Sequence, residues 1–147
     1  MSLEASYSTT IVIPRTQMVT YGGNLRESPC IEILTLAMTK VVKDRGGKLD
    51  ASYTDNEGVS SNCILSARTS DFPRGVGAVV ESDGRITFRY DAYGDNRGIG
   101  KAICDQISQN YNVIAVMRAQ KRLGFNVRIE ERKLSDSQKV VTIMGVR

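Results

Sequence analysis

Two stretches of the chain carry apolar side chains at the spacing of a helix. In the first, Ser28 suits the N-cap position, Pro29 suits the first helical position, and Gly46 suits the stop after the last turn. Between them the apolar face recurs every three or four positions and comprises Ile31, Leu34, Met38 and Val41, widened by Leu36 and Ala37. We predict a helix over residues 29–45 that covers one face of a sheet.

The second helical stretch ends at Gly124, the residue type that commonly follows a helix. Its start lies between Asp95 and Gly98, where Asp95 or Asn96 can cap it. The apolar stripe steps by three or four residues through Ile99, Ile103, Ile107, Tyr111, Ile114 and Met117. Two shorter helices that meet near 108–110 are an alternative, because that segment contains poor helix formers.

Seven further segments are β-branched or alternate between apolar and polar residues, and they predict strands at 6–14, 48–54, 60–67, 75–81, 85–91, 125–130 and 139–146. Asp83-Gly84, between the fourth and fifth strands, predicts a two-residue type I′ turn. Segments 15–26 and 69–74 have no clear period and are predicted to be loops. Residues 135–137 are predicted to form the last turn.

The fourth and fifth strands define an inner and an outer face. The inner residues are Val76, Ala78, Val80, Ile86, Phe88 and Tyr90, and the outer ones of the fifth strand are Arg85, Thr87, Arg89 and Asp91. This alternation is typical of an antiparallel sheet with one covered side. The element order β-α-β-β-β-β-α-β-β then predicts a single α+β domain over residues 1–147, a mainly antiparallel sheet with two helices packed on one face.

The composition is typical of a globular protein that lies outside the membrane. Of the 147 residues, 41% are hydrophobic and 24% are charged, which is near the usual values for folded chains. No apolar run approaches the roughly 18 residues that span a bilayer, and Met1 is not followed by a basic start and an apolar signal core. We therefore expect a soluble, cytoplasmic protein.

The residue types that most often carry catalysis or bind metals are scarce. The chain has no histidine, which removes the commonest general base and the usual metal ligand. Its cysteines, Cys30, Cys63 and Cys104, are far apart and are interpreted as buried apolar residues of a reducing compartment. We predict no metal site and no cofactor. An enzyme that uses carboxylates, Lys or Tyr stays open but is not favoured.

The formal net charge of +4 is concentrated towards the C-terminus. Residues 1–110 carry 12 basic and 13 acidic side chains, a net charge of −1, whereas residues 111–147 carry 8 basic and 3 acidic side chains, a net charge of +5. This excess is either a surface for phosphates or an acidic partner, or an ordinary solvated face. The candidate nucleic-acid surface is the helix face of Arg118, Lys121 and Arg122.

The glycine-rich connection 94–101 is the candidate ligand site. Its glycines let main-chain amides approach a ligand, and the helix that follows presents a positive dipole end. The residues predicted to bind a phosphate or nucleotide are Gly94, Asn96, Arg97, Gly98, Gly100 and Lys101. The segment is not a P-loop, because Asp95 stands where a glycine is needed and Ala102 replaces the Ser or Thr that holds magnesium. A flexible strand-to-helix connection is the alternative interpretation.

Two carboxylates at the end of the fifth strand are a further candidate. Asp91 and Asp95 flank Tyr93 and could act together in proton transfer or hold a divalent ion. Acidic residues at a strand end more often form turns and helix caps, and that interpretation is favoured here.

The C-terminal third resembles a known protein family. The resemblance is carried by Ile107-Ser-Gln-Asn-Tyr-Asn112, Val116, Gly124-Phe-Asn-Val-Arg-Ile-Glu-Glu131 and Lys139-Val-Val-Thr-Ile143. These segments are similar to the family of the conserved hypothetical chloroplast reading frame thirty-five, a domain of unknown function in cyanobacteria, algal plastids and some archaea. The resemblance implies structural roles for Tyr111 against the sheet, Gly124 at the helix C-cap and Phe125 as the first core residue of the next strand. It supplies no catalytic residues.

Three functions are compatible with these patterns. The favoured one is a non-enzymatic α+β module that acts through protein contacts, as a homo-oligomer or an accessory subunit, because an antiparallel sheet tends to leave an edge or a face open. The second is a phosphate- or nucleotide-binding protein that uses loop 94–101. The third is nucleic-acid binding through the basic C-terminal part.

Overall fold

The computed structural model describes residues 2–134 and 139–146, which form three α-helices and two antiparallel sheets. The strands are β1 Glu4–Val12, β2 Gly47–Thr54, β3 Ser60–Thr69, β4 Phe72–Val80, β5 Arg85–Asp91, β6 Asn126–Lys133 and β7 Lys139–Val146. The helices are α1 Arg15–Thr20, α2 Pro29–Arg45 and α3 Ile99–Arg122, and a 3-10 turn covers Leu25–Glu27. The predicted α+β class with antiparallel strands is confirmed.

The seven strands do not form one sheet. In the larger sheet the order is β1-β5-β4-β3-β2, so β2 to β5 form a meander and β1 adds to its end beside β5. Strand β6 pairs with β7 in a separate two-stranded sheet. The expectation of a single sheet is therefore wrong. The alternation of apolar and polar residues along a strand does not specify which strand pairs with it. The predicted turn at 135–137 lies outside the described residues.

Helix α2 forms where its local signals place it. The Ser28 hydroxyl accepts a hydrogen bond from the Ile31 N–H at 3.2 Å, and Gly46 ends the helix with a φ of 75°. The buried face comprises Ile31, Leu34, Ala37, Met38, Val41 and Val42. Leu36 is 44% exposed and does not widen this face as predicted.

Helix α3 is continuous, so the alternative of two shorter helices is wrong. Its C-terminal end carries the two hydrogen bonds of a Schellman motif. The Phe125 N–H donates to the Gln120 carbonyl at 3.1 Å, and the Gly124 N–H donates to the Lys121 carbonyl at 3.0 Å. Helix α2 lies over β2 and β3, α3 lies over β4, and the two helices contact each other, so both cover the same face of the larger sheet.

Two predicted loops contain regular structure. Segment 15–26 holds α1 and the start of the 3-10 turn, because a six-residue helix is too short to show an apolar period. Segment 69–74 is not a loop. Strand β3 continues to Thr69, β4 begins at Phe72, and the Thr69 hydroxyl accepts from the Phe72 N–H at 3.0 Å to form a tight turn.

The β4–β5 hairpin has the predicted faces but a different turn. Ala78 pairs with Phe88 and Val80 pairs with Ile86, which places the inner residues side by side. At the turn, Gly84 has a φ of 89°, and no non-glycine residue that the structure describes has a positive φ. A type I′ turn needs two residues with a positive φ and is therefore excluded. The Gly84 N–H donates to the Glu81 carbonyl at 2.9 Å and the Glu81 N–H donates to the Arg85 carbonyl at 2.8 Å, so residues 82–84 form a three-residue loop that closes with a glycine bulge.

Candidate functional site

The glycine-rich connection leads from the end of β5 into α3. Gly94 and Gly98 have positive φ angles of 76° and 66°, which explains the glycines at these positions. Of the residues predicted to bind a ligand, one is buried, Gly100, and the others are exposed, namely Gly94, Asn96, Arg97, Gly98 and Lys101.

The carboxylate of Asp95 occupies the N-terminal end of α3. Its Oδ1 accepts from the Ile99 N–H and its Oδ2 accepts from the Gly100 N–H, both at 2.9 Å. An acidic group in this position satisfies two unpaired amides and meets the positive end of the helix dipole. Gly98 holds the N-cap position itself, and of the two predicted capping residues Asp95, not Asn96, accepts from the first amides of α3. These are amides that a bound phosphate would use, so the protein's own carboxylate competes with an external anion.

Gly100 and Lys101 are engaged in packing and pairing within the chain. A Cβ atom on Gly100 would lie 2.4 Å from Cε2 of Tyr90, so the glycine lets α3 approach the sheet. The Lys101 Nζ lies 3.1 Å from Oδ2 of Asp105, and Oδ1 of Asp105 accepts from the Tyr7 hydroxyl at 2.6 Å. Burial, together with the neighbouring Asp105 carboxylate, raises the pKa of Tyr7 to about 12.

Arg97 and Lys101 line a groove of about 800 Å³ between α2, α3 and the β6–β7 hairpin. Side chains of both charges line it. Besides Arg97 and Lys101, the basic ones are Arg45, Lys133 and Lys139, and the acidic ones are Asp44, Asp71, Asp105 and Glu131. Several of these charges pair within the protein. For example, Nη1 of Arg45 lies 2.6 Å from Oδ2 of Asp71, and Nζ of Lys101 lies 3.1 Å from Oδ2 of Asp105. The groove therefore offers no strong preference for an anion, and the ligand site at 94–101 stays a prediction.

Asp91 and Asp95 accept hydrogen bonds from different main-chain amides. The Asp91 carboxylate is buried, and its Oδ1 accepts from the N–H groups of Leu3 at 2.8 Å and Tyr93 at 2.9 Å. Its Oδ2 accepts from the Asn56 N–H at 2.7 Å and lies 3.5 Å from Nη1 of Arg74. Burial alone would raise the pKa of Asp91, but the three N–H donors and Arg74 outweigh it and lower the pKa. Both carboxylates thus serve the structural roles that were favoured.

The predicted basic helix face is only partly available. Arg118 lies 3.2 Å from the carboxylate of Glu32 on α2, so its charge is paired. Lys121 and Arg122 are exposed in the last turn of α3, where a positive charge stabilises the negative end of the helix dipole. The two cations thus stabilise the end of α3, and nucleic-acid binding stays a prediction.

A surface that the sequence reasoning missed lies after Tyr111. We define the C-terminal arm as residues 112–134 and 139–146, which comprise the second half of α3 and the β6–β7 hairpin. Within the described chain every buried residue precedes the arm, and no residue of the arm itself is buried. Its large exposed apolar side chains are Val116, Leu123, Ile129, Leu134, Val140 and Val146. Phe125 is only half-buried and precedes β6, so it is not the core residue that was expected.

The hairpin turns one face towards the helices. Glu131 lies on that face, since its carboxylate is 3.2 Å from the Lys40 Nζ of α2 and 3.6 Å from the Lys139 Nζ. The hydrogen bond from Lys40 lowers the pKa of Glu131. Because side chains alternate along a strand, the opposite face is turned away from the helices. It carries Arg128, Glu130 and Arg132 on β6 and Val140, Thr142, Met144 and Val146 on β7.

A sequence signal for this arm was present in β7. Between Lys139 and Val146 the strand has no charged residue, and apolar side chains point to both of its faces. Such a strand is typical of a position that is covered on both sides. In this structure β7 belongs to a two-stranded sheet with one face turned away from the protein.

Comparison with known proteins gives no assignment: no family model matches the chain, and no curated protein or solved structure matches it. The resemblance to the chloroplast reading-frame family stays a prediction. Across the described residues, no helix is long and apolar enough to cross a membrane. Nor do three or more His, Cys, Asp or Glu side chains in that part of the chain come together in a group that could hold a metal ion.

Proposed function

We propose that this protein is a non-enzymatic module that acts through protein contacts, and that the C-terminal arm is the contact surface. One observation carries the proposal, namely that the arm holds many apolar side chains and buries none of them. Leu123 is 70% exposed and Val146 is 52% exposed in the single chain. The arm therefore contains apolar surface that another protein chain can remove from water.

Some of these side chains share one face of the hairpin, since Val140, Met144 and Val146 all lie on the outer face of β7. Single exposed apolar residues are normal on protein surfaces, whereas a larger apolar patch marks an interaction site. Half of the large exposed apolar side chains in the described residues lie in the arm, although the arm is much shorter than the rest of the chain. Covering apolar surface stabilises a complex by roughly 25 cal/mol per Å².

The architecture of the hairpin supports the same proposal. A two-stranded sheet is marginally stable by itself and needs further strands or a packed face. Among the described residues, β6 and β7 each pair with one strand, so each has an unpaired edge. Unpaired edges readily accept another strand. A partner chain would thus stabilise the hairpin as well as cover its apolar side chains.

We propose no catalytic role because the groups that usually carry catalysis are missing from the chain or are already engaged within it. There is no histidine, and the two carboxylates that flank Tyr93 are already engaged, Asp91 with three N–H donors and Asp95 with the start of α3. A general acid or base must be able to reach a substrate proton. Carboxylates that accept several main-chain hydrogen bonds are poorly placed for that role.

The test compares an arm variant with a matched control by native mass spectrometry of freshly purified protein. The arm variant carries Leu123→Ser, Val140→Thr and Val146→Thr, and the control carries Val19→Ser and Val59→Thr, which are also exposed but lie outside the arm. We expect the wild type and the control to retain a second protein chain and the arm variant to lose it. A wild type without any associated chain, or an arm variant that keeps it, would contradict the proposal.

A further inference from the structure

We infer that the partner of the arm is a second copy of this chain, joined edge to edge through β6 in an antiparallel pair. This inference rests on the proposed function and names the partner that the arm contacts. Two hairpins joined in this way form a four-stranded sheet with the order β7-β6-β6-β7, which meets the usual requirement for an independently stable sheet. The pair is related by a two-fold axis, the commonest symmetry of soluble oligomers.

The choice of β6 follows from which edge is open. Residues 128–133 of β6 are all exposed. Strand β7 is more covered, and Gln109 of α3 donates a hydrogen bond to the main-chain carbonyl of Lys139. One main-chain group at the start of β7 is thus already engaged by a helix side chain. The edge of β6 is the better template for an added strand.

The charges of β6 are complementary to those of its own copy in one register. If Ile129 lies opposite Ile129 of the second copy, then Arg128 lies opposite Glu130 of the second copy. By symmetry, Glu130 lies opposite Arg128 of the second copy. Directly opposed side chains in an antiparallel pair have Cβ atoms roughly 5 Å apart, which is close enough for an ion pair. This register therefore forms two ion pairs and one apolar pair.

Neighbouring registers place like charges together. A pair centred on Arg128 puts that residue opposite its own copy, and a pair centred on Glu130 puts Glu130 opposite its copy and Arg128 opposite Arg132. Like charges directly opposite each other on adjacent strands are destabilising. The alternation of Arg, Ile and Glu at positions 128–130 thus favours the register centred on Ile129.

Both charged side chains are available for this contact. Neither the Arg128 side chain nor the Glu130 side chain has a hydrogen bond or an ion pair with any other residue that the structure describes. Within the hairpin, Arg128 stands opposite Met144 and Glu130 stands opposite Thr142. Reversing either charge therefore removes no interaction inside one chain. Effects of such changes on assembly report on the contact between copies.

The experiment is sedimentation equilibrium over a concentration series on four full-length proteins. They are the wild type, Arg128→Glu, Glu130→Arg and the double variant that exchanges the two charges. In each single variant both cross-strand pairs become like-charged, and we expect the dimer to dissociate about tenfold more readily. In the double variant both pairs are restored with the net charge unchanged, and we expect nearly the wild-type dissociation constant.

The matched control for Arg128→Glu is Arg122→Glu, which makes the same change in net charge in the arm but lies on α3. We expect this variant to dimerise like the wild type, and circular dichroism checks that every variant is folded. A wild type that stays monomeric, or a double variant that is not restored, overturns the inference. If association withstands both charge reversals and is lost in the arm variant with Leu123→Ser, this inference fails while the proposed function stands.

Discussion

Replacing Asp91 with asparagine tests whether this buried carboxylate holds separate segments of the fold together. It joins the start of β1, the β2–β3 connection, β4 and the chain after β5, through three main-chain N–H donors and one arginine. Its side chain is only 4% exposed, so water has little access to the carboxylate itself. Asparagine has nearly the same shape, which leaves the change in charge and hydrogen bonding as the main effect.

The expected magnitude follows from the lost acceptor. In Asp91→Asn one side-chain oxygen remains as an uncharged amide oxygen, and an amide NH₂ replaces the oxygen that accepts from Asn56 and faces Arg74. A hydrogen bond to a charged group contributes about 1.5–3 kcal/mol, so we expect the free energy of unfolding to fall by about 2–3 kcal/mol.

The assay is urea unfolding followed by circular dichroism, in which a lower midpoint with an unchanged m value reports a loss of stability. The matched control is Asp83→Asn, because the Asp83 carboxylate accepts from the Arg85 N–H in an exposed turn, and an asparagine oxygen can do the same. We expect the control to stay within about 0.5 kcal/mol of the wild type. If Asp91→Asn did so as well, the reasoning about the buried carboxylate would be refuted.

The pH dependence of this difference gives an independent check. The pKa of Asp91 is lower in the folded protein than its ordinary value, so the folded state favours the charged form. Its contribution to stability is fully present above the unfolded pKa of about 3.9 and is lost as the pH falls through the folded pKa. We therefore expect the gap between the wild type and Asp91→Asn to be constant near neutral pH and to narrow below about pH 4.

Two further substitutions test the packing of α3 and the start of α2. In Gly100→Ala the added Cβ would lie 2.4 Å from the Tyr90 ring, and we expect a loss of about 1–3 kcal/mol in urea unfolding. Gly23→Ala, where no atom lies within 4 Å, should lose nothing. Ser28→Ala removes the acceptor for the Ile31 N–H and should cost about 1 kcal/mol; an unchanged unfolding midpoint would contradict this N-cap role.

The parts of the fold that were predictable are those whose signals lie close together in the sequence. Helix α2 has its cap, its proline, its apolar stripe and its terminal glycine within 20 positions, and all of them act as expected except Leu36, which is exposed. The cap of α3 by Asp95 and the Schellman ending at Gly124 are equally local. Helix α1 was missed because six residues are too few to establish a period.

The parts that were not predictable depend on contacts between distant residues. The period of β6 and β7 identifies them as strands but does not tell whether they join the larger sheet. The ligand site at 94–101 looked favourable because glycines and cations stand together in the sequence. The engagement of Asp95 with the helix amides, and the contact of Gly100 with Tyr90, emerge only when the chain is folded.

Hydroxyl-radical footprinting of the purified protein tests most directly whether the arm is covered by another chain. In the single chain Leu123 is 70% exposed and Val19, which lies outside the arm, is 77% exposed, so the two side chains should react at similar rates after correction for their intrinsic reactivities. If the arm is a contact surface, Leu123 will react several times more slowly than Val19. Equal corrected rates at Leu123 and Val19 would contradict the account.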